Sequence, residues 1–141
     1  MSAHESMLAL QWFNTVLTGD STLMSLVPGN IYRAMAPPNT VTPFIIIALQ
    51  ASTDVITMNG FRLITSLLYQ VKAVGPSGVT ATLAQAAARI DDLLGLTSGV
   101  VTGGAILSCI RDSPLQTDEI VNGELWTNIG GLYRIQIEKT N

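Results

Sequence analysis

The side chains able to carry out acid–base or nucleophilic chemistry are few in this sequence. The chain has one histidine and one cysteine, His4 and Cys109. A general base must be held within hydrogen-bond distance of the proton it removes, and His4 lies where a chain end is expected to fray. Neither Ser108 nor Cys109 lies in a G-x-S-x-G nucleophile elbow. We therefore expect His4 to be a surface residue and Cys109 to be a small core residue.

Three other groups resemble catalytic or ligand-binding motifs without completing them. Asp91 and Asp92 would point about 100° apart on a helix, so they could not share a proton. Residues 75–78 precede a predicted helix but lack the Gly-Lys-Ser/Thr ending of a phosphate-binding loop. One Cys and one His cannot supply the four ligands of a structural zinc site. We expect no catalytic residue, no metal and no cofactor, and therefore a protein that is not an enzyme.

The chain carries few charges for its length. Its 141 residues include 7 basic and 10 acidic side chains, or 12% charged residues where about 25% is ordinary. Surface scaling predicts about 7,000 Å² of folded surface, which leaves roughly one charge per 400 Å². Uncharged patches on such a surface are typical of protein–protein contacts. The net charge of −3 and the scattered Lys and Arg argue against a nucleic-acid clamp.

Hydrophobic periodicity predicts the elements that must present these surfaces. Apolar residues at helical spacing predict main helices over 4–18 and 79–94, with a short helix over 22–27. Alternating or continuous apolar runs predict four strands, over 44–51, 61–74, 104–111 and, interrupted by two glycines, 125–138. The fold class expected is α+β, an antiparallel sheet of about four strands with two main helices packed on one face. Residues 1–141 are expected to form a single domain.

The connecting segments carry their own signals. Proline-rich residues 34–43 and residues 53–60 are predicted to be irregular or turn segments. Beyond residue 111, Pro114 and nearby acids predict a polar loop that ends in a tight Asn122-Gly123 turn. The uncharged stretch 93–110 is long enough to suggest a membrane span, but its glycines favour a helix end, a loop and a strand.

Two groups of residues are candidates for contact with a partner. Ile64 and Leu68 are apolar on the otherwise polar face of the strand over 61–74, where either a neighbouring subunit or a helix of the same chain would cover them. Four of the ten acids form an acidic stretch, which would be a solvated hairpin loop, face a basic partner, or line a channel through which DNA slides. The acids of this stretch are Asp112, Asp118, Glu119 and Glu124.

Several short sequence segments, in this order along the chain, carry a family resemblance. The Asn-Ile-Tyr-Arg segment at 30–33 is followed by Thr-Pro-Phe-Ile-Ile-Ile at 42–47 and by residues 66–73 of the predicted long strand. Residues 84–94 of the predicted helix and the segment Gly-Gly-Leu-Tyr-Arg-Ile-Gln-Ile at 130–137 complete the pattern. In this order of elements the chain resembles tailed-phage tail-terminator, or tail-completion, proteins.

The resemblance implies a function in virion assembly. It implies a homo-oligomeric ring, typically a hexamer, that caps the completed tail tube and presents the head–tail joining surface. The implied partners are the tail tube protein and the head–tail connector proteins, and DNA would pass through the ring without sequence-specific binding. The implied location is the head–tail junction of the virion after assembly in the host cytoplasm, with no membrane contact and no targeting segment expected.

Other hypotheses remain open at this stage. Small ring proteins of head completion or of the connector are similar in size and class. A small-molecule-binding module would instead require a deep pocket with convergent polar groups, for which His4, Asp54 and Tyr69 are the candidates. A membrane-associated protein would use residues 93–110.

Overall fold

A computed structural model of the chain describes residues 4–56, 58, 60 and 62–139. Three helices and six strands make up its regular structure, with a 3₁₀ turn at Ser77–Val79. In chain order the elements are α1 (Glu5–Thr18), α2 (Ser21–Leu26), β1 (Ile31–Arg33), β2 (Phe44–Ile56), β3 (Arg62–Pro76), α3 (Thr80–Leu94), β4 (Leu96–Val101), β5 (Gly104–Val121) and β6 (Glu124–Lys139).

All six strands belong to one sheet in the order β1-β2-β3-β6-β5-β4. The edge strand β1 runs parallel to β2, and every other neighbouring pair is antiparallel. The sheet curls into a half-barrel. Because β4 pairs only with the first part of β5, and β3 pairs with β6 as far as Trp126, the β5–β6 hairpin is two-stranded only at its tip, beyond Trp126.

The three helices pack on one face of the sheet. The main core joins α1, α2 and α3 to alternate residues of the strands, among them Tyr69 and Val71 of β3 and Tyr133 and Ile135 of β6. Side chains alternate between the two faces of a strand, so a core built from one alternating set lies on one face. Phe13 at the centre of this core contacts Tyr69 edge-on, with ring centroids 5.1 Å apart.

The predicted fold class is wrong in its strand count, its strand direction and its helix count. The sheet has six strands instead of four, it is mixed instead of antiparallel, and three helices pack on it instead of two main ones. The tripeptide β1 is too short for a periodicity signal, and its parallel pairing with β2 depends on the path of residues 34–43. β4 carries two polar residues and Gly99 in six positions, a composition that predicts a loop.

The predicted acidic loop after residue 111 is also wrong. β5 continues without interruption to Val121, and Pro114 occupies a place on its outer part, where no further strand among the described residues pairs with it. Proline is tolerated there because an edge strand does not need every N–H for a ladder. The predicted Asn122-Gly123 turn is confirmed, and both residues have positive φ, 51° and 80°.

The positions of the helices are confirmed. α1 and α3 match the predicted 4–18 and 79–94 within a residue or two, and the short helix α2 matches 22–27 equally well. The stretch 93–110 is the end of α3, then β4, a turn and β5, and no helix among the described residues has the length and apolarity needed to cross a membrane. β2 runs to Ile56, into the predicted turn over 53–60, of which residues 57 and 59 lie outside the described part of the chain.

One ion pair ties the two N-terminal helices to α3. The Asp20 carboxylate caps α2 by accepting the Leu23 N–H at 2.9 Å, and it accepts two hydrogen bonds from Arg89 of α3 at 2.7 and 2.8 Å. The hydrogen bonds from Arg89 and from the Leu23 N–H lower the pKa of Asp20 to about 2. A carboxyl whose pKa is depressed on folding stabilises the fold above its unfolded pKa and loses that contribution as the pH falls towards the folded value.

We predict that Asp20→Asn removes part of the acid dependence of stability. The wild-type free energy of unfolding should fall between about pH 4, the ordinary aspartate pKa, and about pH 2. In Asp20→Asn this fall should be smaller, because the side chain no longer takes up a proton. Urea unfolding at several pH values measures both, with Asp92→Asn, a largely exposed neighbour of Arg89, as the matched control. Equal acid dependence in wild type and Asp20→Asn would contradict the prediction.

We predict that Gly130→Ala destabilises the sheet. A Cβ at Gly130 would lie 2.1 Å from the Val71 carbonyl oxygen and 2.5 Å from the Lys72 Cα, both backbone atoms of the paired strand β3. Such overpacking typically costs about 1–3 kcal/mol. Gly78→Ala is the matched control because a Cβ there meets nothing within 4 Å. Thermal unfolding measures both, and equal melting temperatures would contradict the prediction.

Candidate assembly surface

The sheet face opposite the helices is not covered by α1, α2 or α3. We call this surface the open face. Strand register aligns one row of its side chains across five strands, from β2 to β4. The row consists of Ala51, Leu68, Arg134, Ile110 and Leu96. Arg134 forms an ion pair of 3.7 Å with Asp112, so its charge is balanced within the chain. The row therefore combines four apolar side chains with one internally paired charge.

Ile64 and Leu68 lie on the open face, where the sequence placed them. Both are half-buried, and both belong to the alternating set of β3 that faces away from the main core. Among the described residues, no helix of the same chain covers them, because α1, α2 and α3 all pack on the other face. Their contact with a neighbouring subunit stays a prediction.

A cleft of about 710 Å³ lies at one end of the open face. Its floor contains Phe44, Ile46 and Val74, which form a small second core with Trp126. The proline-rich segment 34–43 forms the wall on one side and the end of β5 and β6 forms the wall on the other. This segment was predicted to be irregular, and it has no regular structure beyond turns. It covers only this end of the sheet.

The four candidate acids lie on the hairpin formed by β5 and β6. Asp112, Asp118 and Glu119 are in β5, and Glu124 is the first residue of β6. All four are exposed. The residues 112–133, which we call the acidic arm, contain these four acids and no Lys or Arg. The acids are thus held on a pair of strands, and all but Asp112, which pairs with Arg134, lie towards the hairpin end of those strands.

Hydrogen bonds within the acidic arm fix some of these carboxylates. Asp118 Oδ1 accepts a hydrogen bond from the Thr127 hydroxyl at 2.8 Å. Glu119 Oε1 accepts a longer one from the Asn128 side-chain amide at 3.4 Å. Both bonds connect β5 to β6, so they hold the arm together while leaving each carboxylate its negative charge.

The residues that the sequence offered for acid–base or nucleophilic chemistry have structural contacts or are exposed. His4 is exposed and caps α1, since its Nδ1 accepts the Ser6 N–H at 3.2 Å. Asp91 forms an ion pair of 3.5 Å with Arg111 and accepts a hydrogen bond from Tyr133 at 3.4 Å, whereas Asp92 is exposed. Cys109 lies in the main core, as expected, and residues 75–78 connect β3 to α3.

The described residues provide no arrangement that binds a metal. No group of three or more His, Cys, Asp or Glu side chains comes together among them. The three main cavities of this part of the chain are not lined by His4, Asp54 or Tyr69, the residues expected for a small-molecule site. Burial raises the pKa of Tyr69 to about 12, and its hydroxyl donates to the Ser6 carbonyl oxygen at 2.6 Å, which makes it a buried structural contact.

Sequence reasoning missed two exposed features at the sheet edges. Leu96 and Val100 of β4 are 84% and 83% exposed, and they protrude from an edge strand without any charged residue. At the opposite edge, a cavity of about 430 Å³ lies between α1 and β1 and includes Arg33 in its lining. The composition of residues 96–101 predicts a loop, so no strand signal was available for the first. The second brings together residues distant in sequence and had none.

Comparison with known proteins finds similarity to solved structures. No protein-family model matches the chain, and no curated protein matches it. Among solved structures, the fold is similar to that of a chain in the structure described as "Virion of native gene transfer agent (GTA) particle", with a TM-score of 0.67 and 18% sequence identity. The similarity covers 89% of this chain and 91% of that chain. At this identity it shows a shared fold.

We predict that Cys109 is unreactive in the folded protein. Burial raises the pKa of its thiol to about 12, and the thiolate is the reactive form. An aromatic disulfide reagent at pH 8 should label it slowly in buffer and rapidly in guanidinium chloride. Ser98→Cys, which adds an exposed thiol on β4, is the positive control in buffer. Rapid labelling of wild type in buffer would contradict the prediction.

Proposed function

We propose that this chain is a structural subunit of a tailed-phage-type virion, and specifically a tail-terminator-like ring subunit. In this function, copies of the chain close the end of the tail tube and present the surface that joins the tail to the head. The ring, a hexamer in the proposal, contacts the tail tube protein on one side and head–tail connector proteins on the other. The protein acts through binding surfaces and is not an enzyme.

The observation that carries this proposal is the fold similarity over nine-tenths of the chain to a component of a virion particle. It agrees with the resemblance of the sequence to tail-terminator proteins, which rests on different observations. The sequence segments at 30–33, 42–47, 66–73 and 130–137 lie in β1, β2, β3 and β6 or directly beside them. Most of the segments that carry the resemblance are therefore strands of the sheet.

The open face supports a function in assembly. A ring subunit needs two different patches that complement each other, because a heterologous contact must repeat around the ring until it closes. The cores of such interfaces are poor in charge, and Arg134, the one charged side chain in the row that contains Leu68, is paired with Asp112. Ring closure also adds the avidity of several contacts, so each one needs only modest affinity.

The acidic arm supports a passage for DNA without binding. Asp118, Glu119 and Glu124, with no Lys or Arg between residues 112 and 133, give the end of the arm a negative charge that repels phosphate groups. A ring with such arms near its channel would let DNA slide, whereas a basic lining would hold it.

The proposal is tested by assembly and capping. Electron microscopy and light scattering of the purified protein, alone and with its cognate tail tube protein, should reveal rings and tubes of uniform length ending in a ring. A protein that stays monomeric at high concentration and also with tubes present would contradict the proposal. Rings that bind isolated connectors and ignore tubes would favour a head-completion or connector protein instead.

A matched pair of variants tests the open face. Leu68→Lys should weaken ring formation or tube binding about tenfold or more, because burying an unpaired ammonium at an interface is costly. Gln85→Lys adds the same charge to the exposed side of α3 and should leave assembly unchanged. Unfolding curves show whether each variant remains folded. Equal assembly of the two variants would argue against the open face as an interface.

A further inference from the structure

The cavity between α1 and β1 is an apolar groove at the sheet edge, which we call the edge groove. Its volume is about 430 Å³, and Met7 and Leu10 of α1 and Ile31 of β1 line it together with Ile47 of β2. Met7 is 48% exposed although it is apolar. The groove therefore offers an uncovered apolar surface that the chain itself does not fill.

Arg33 gives the edge groove an unbalanced positive charge. It lines the groove and is exposed, and it has no ion-pair partner among the described residues. By contrast Arg89, Arg111 and Arg134 each form an ion pair with an aspartate of the same chain. The groove thus combines an apolar wall with a free guanidinium, which favours a partner that is apolar and negatively charged.

The tip of the acidic arm, residues 118–125, has these complementary properties. Ile120 and Leu125 face each other in the register of β5 and β6, and they are 75% and 49% exposed, so they form one protruding apolar pair. Asp118 lies on the same face of the hairpin as this pair, and Glu124 precedes Leu125 in the chain and lies on the other face. The arm has no Lys or Arg that would neutralise these charges locally.

The groove and the tip are two different surfaces of the chain. The groove lies beside the edge strand β1, whereas the tip is the end of the β5–β6 hairpin, which β2 and β3 separate from β1 in the strand order. A contact between them that joins two copies is therefore heterologous, the kind of contact that repeats around a closed ring. The groove and the tip are also opposite in charge, which steers association and specifies the register.

We propose that the acidic tip of one copy binds in the edge groove of the next copy in the ring. Ile120 and Leu125 pack against Met7 and Leu10, and the carboxylates of the tip approach Arg33. This inference rests on the proposed ring function and names the surfaces of its lateral contact. The partner is a protein surface, since the carboxylates of the tip would repel a nucleic acid.

The backbone of β1 favours this side-chain contact over the addition of a strand. The outward N–H of Ile31 donates to the Asn30 side chain at 2.9 Å, and the Arg33 carbonyl oxygen accepts the Met35 N–H at 2.6 Å. A strand added at this edge would find these two groups already bonded. Affinity must then come from the apolar groove and from Arg33.

Charge reversal in trans tests the contact. The first variant, Arg33→Glu, has a negative groove and a negative tip. The second variant, Asp118→Lys with Glu124→Lys, has a positive tip and keeps the positive groove. Each alone should associate about tenfold or more weakly than wild type, because like charges meet at every contact. An equal mixture should recover rings, because every contact between unlike copies is complementary and an even-numbered ring can alternate them.

The control and the outcomes separate this inference from the proposed function. Glu138→Arg reverses an exposed acid of β6 outside the tip, so it should form rings alone and should not restore rings to Arg33→Glu. Light scattering at low salt measures the masses. If both charge-reversed variants form rings as well as wild type does, this contact is overturned and the proposed ring function still stands. Failure of the mixture to recover rings would also overturn it, whereas a monomeric wild type would overturn the ring function itself.

Discussion

One-sided packing is the constraint on which the rest of this structure depends. Three helices cover one face of a curled six-stranded sheet, and the other face is covered at one end only, by residues 34–43. Removing apolar surface from water is worth about 25 cal/mol per Å², so a sheet gains stability from each face it buries. The main core supplies that gain on the helical side. On the open face, residues such as Ile64 and Leu68 are only half-buried, so part of the stabilisation from burying apolar surface is not gained there.

The distribution of charge follows the same division. The chain has only 17 Asp, Glu, Lys and Arg residues for an accessible surface of 7753 Å², and four of the acids are on the acidic arm. Three arginines are neutralised by aspartates of the same chain, while Arg33 beside the edge groove is not. The molecule thus has a negative end, a locally positive groove and a weakly charged sheet face. In the proposed ring, such separation would favour orientations that bring unlike surfaces together.

The limits of the sequence interpretation can be traced to particular elements. The helices α1 and α3 were predicted closely because each has a continuous apolar stripe at helical spacing, and the stripe and the burial have the same cause. β5 was predicted to end at Arg111 because Pro114 and the acids that follow are typical of loops. Those residues form a strand because β6 pairs with them along their whole length, an energetic contribution that no local pattern of β5 contains.

The sequence by itself determined the helices, the tight turn at Asn122-Gly123, the low charge, the absence of a recognisable catalytic motif and the apolar character of Ile64 and Leu68. These properties depend on residues that are near one another in the chain. Only the tertiary structure decided the six-strand order, the parallel pairing of β1, the covering of a single face and the groove beside Arg33. Each of these brings together segments far apart in sequence, and their pairing is selected by the burial and hydrogen bonding of the whole fold rather than by local preference.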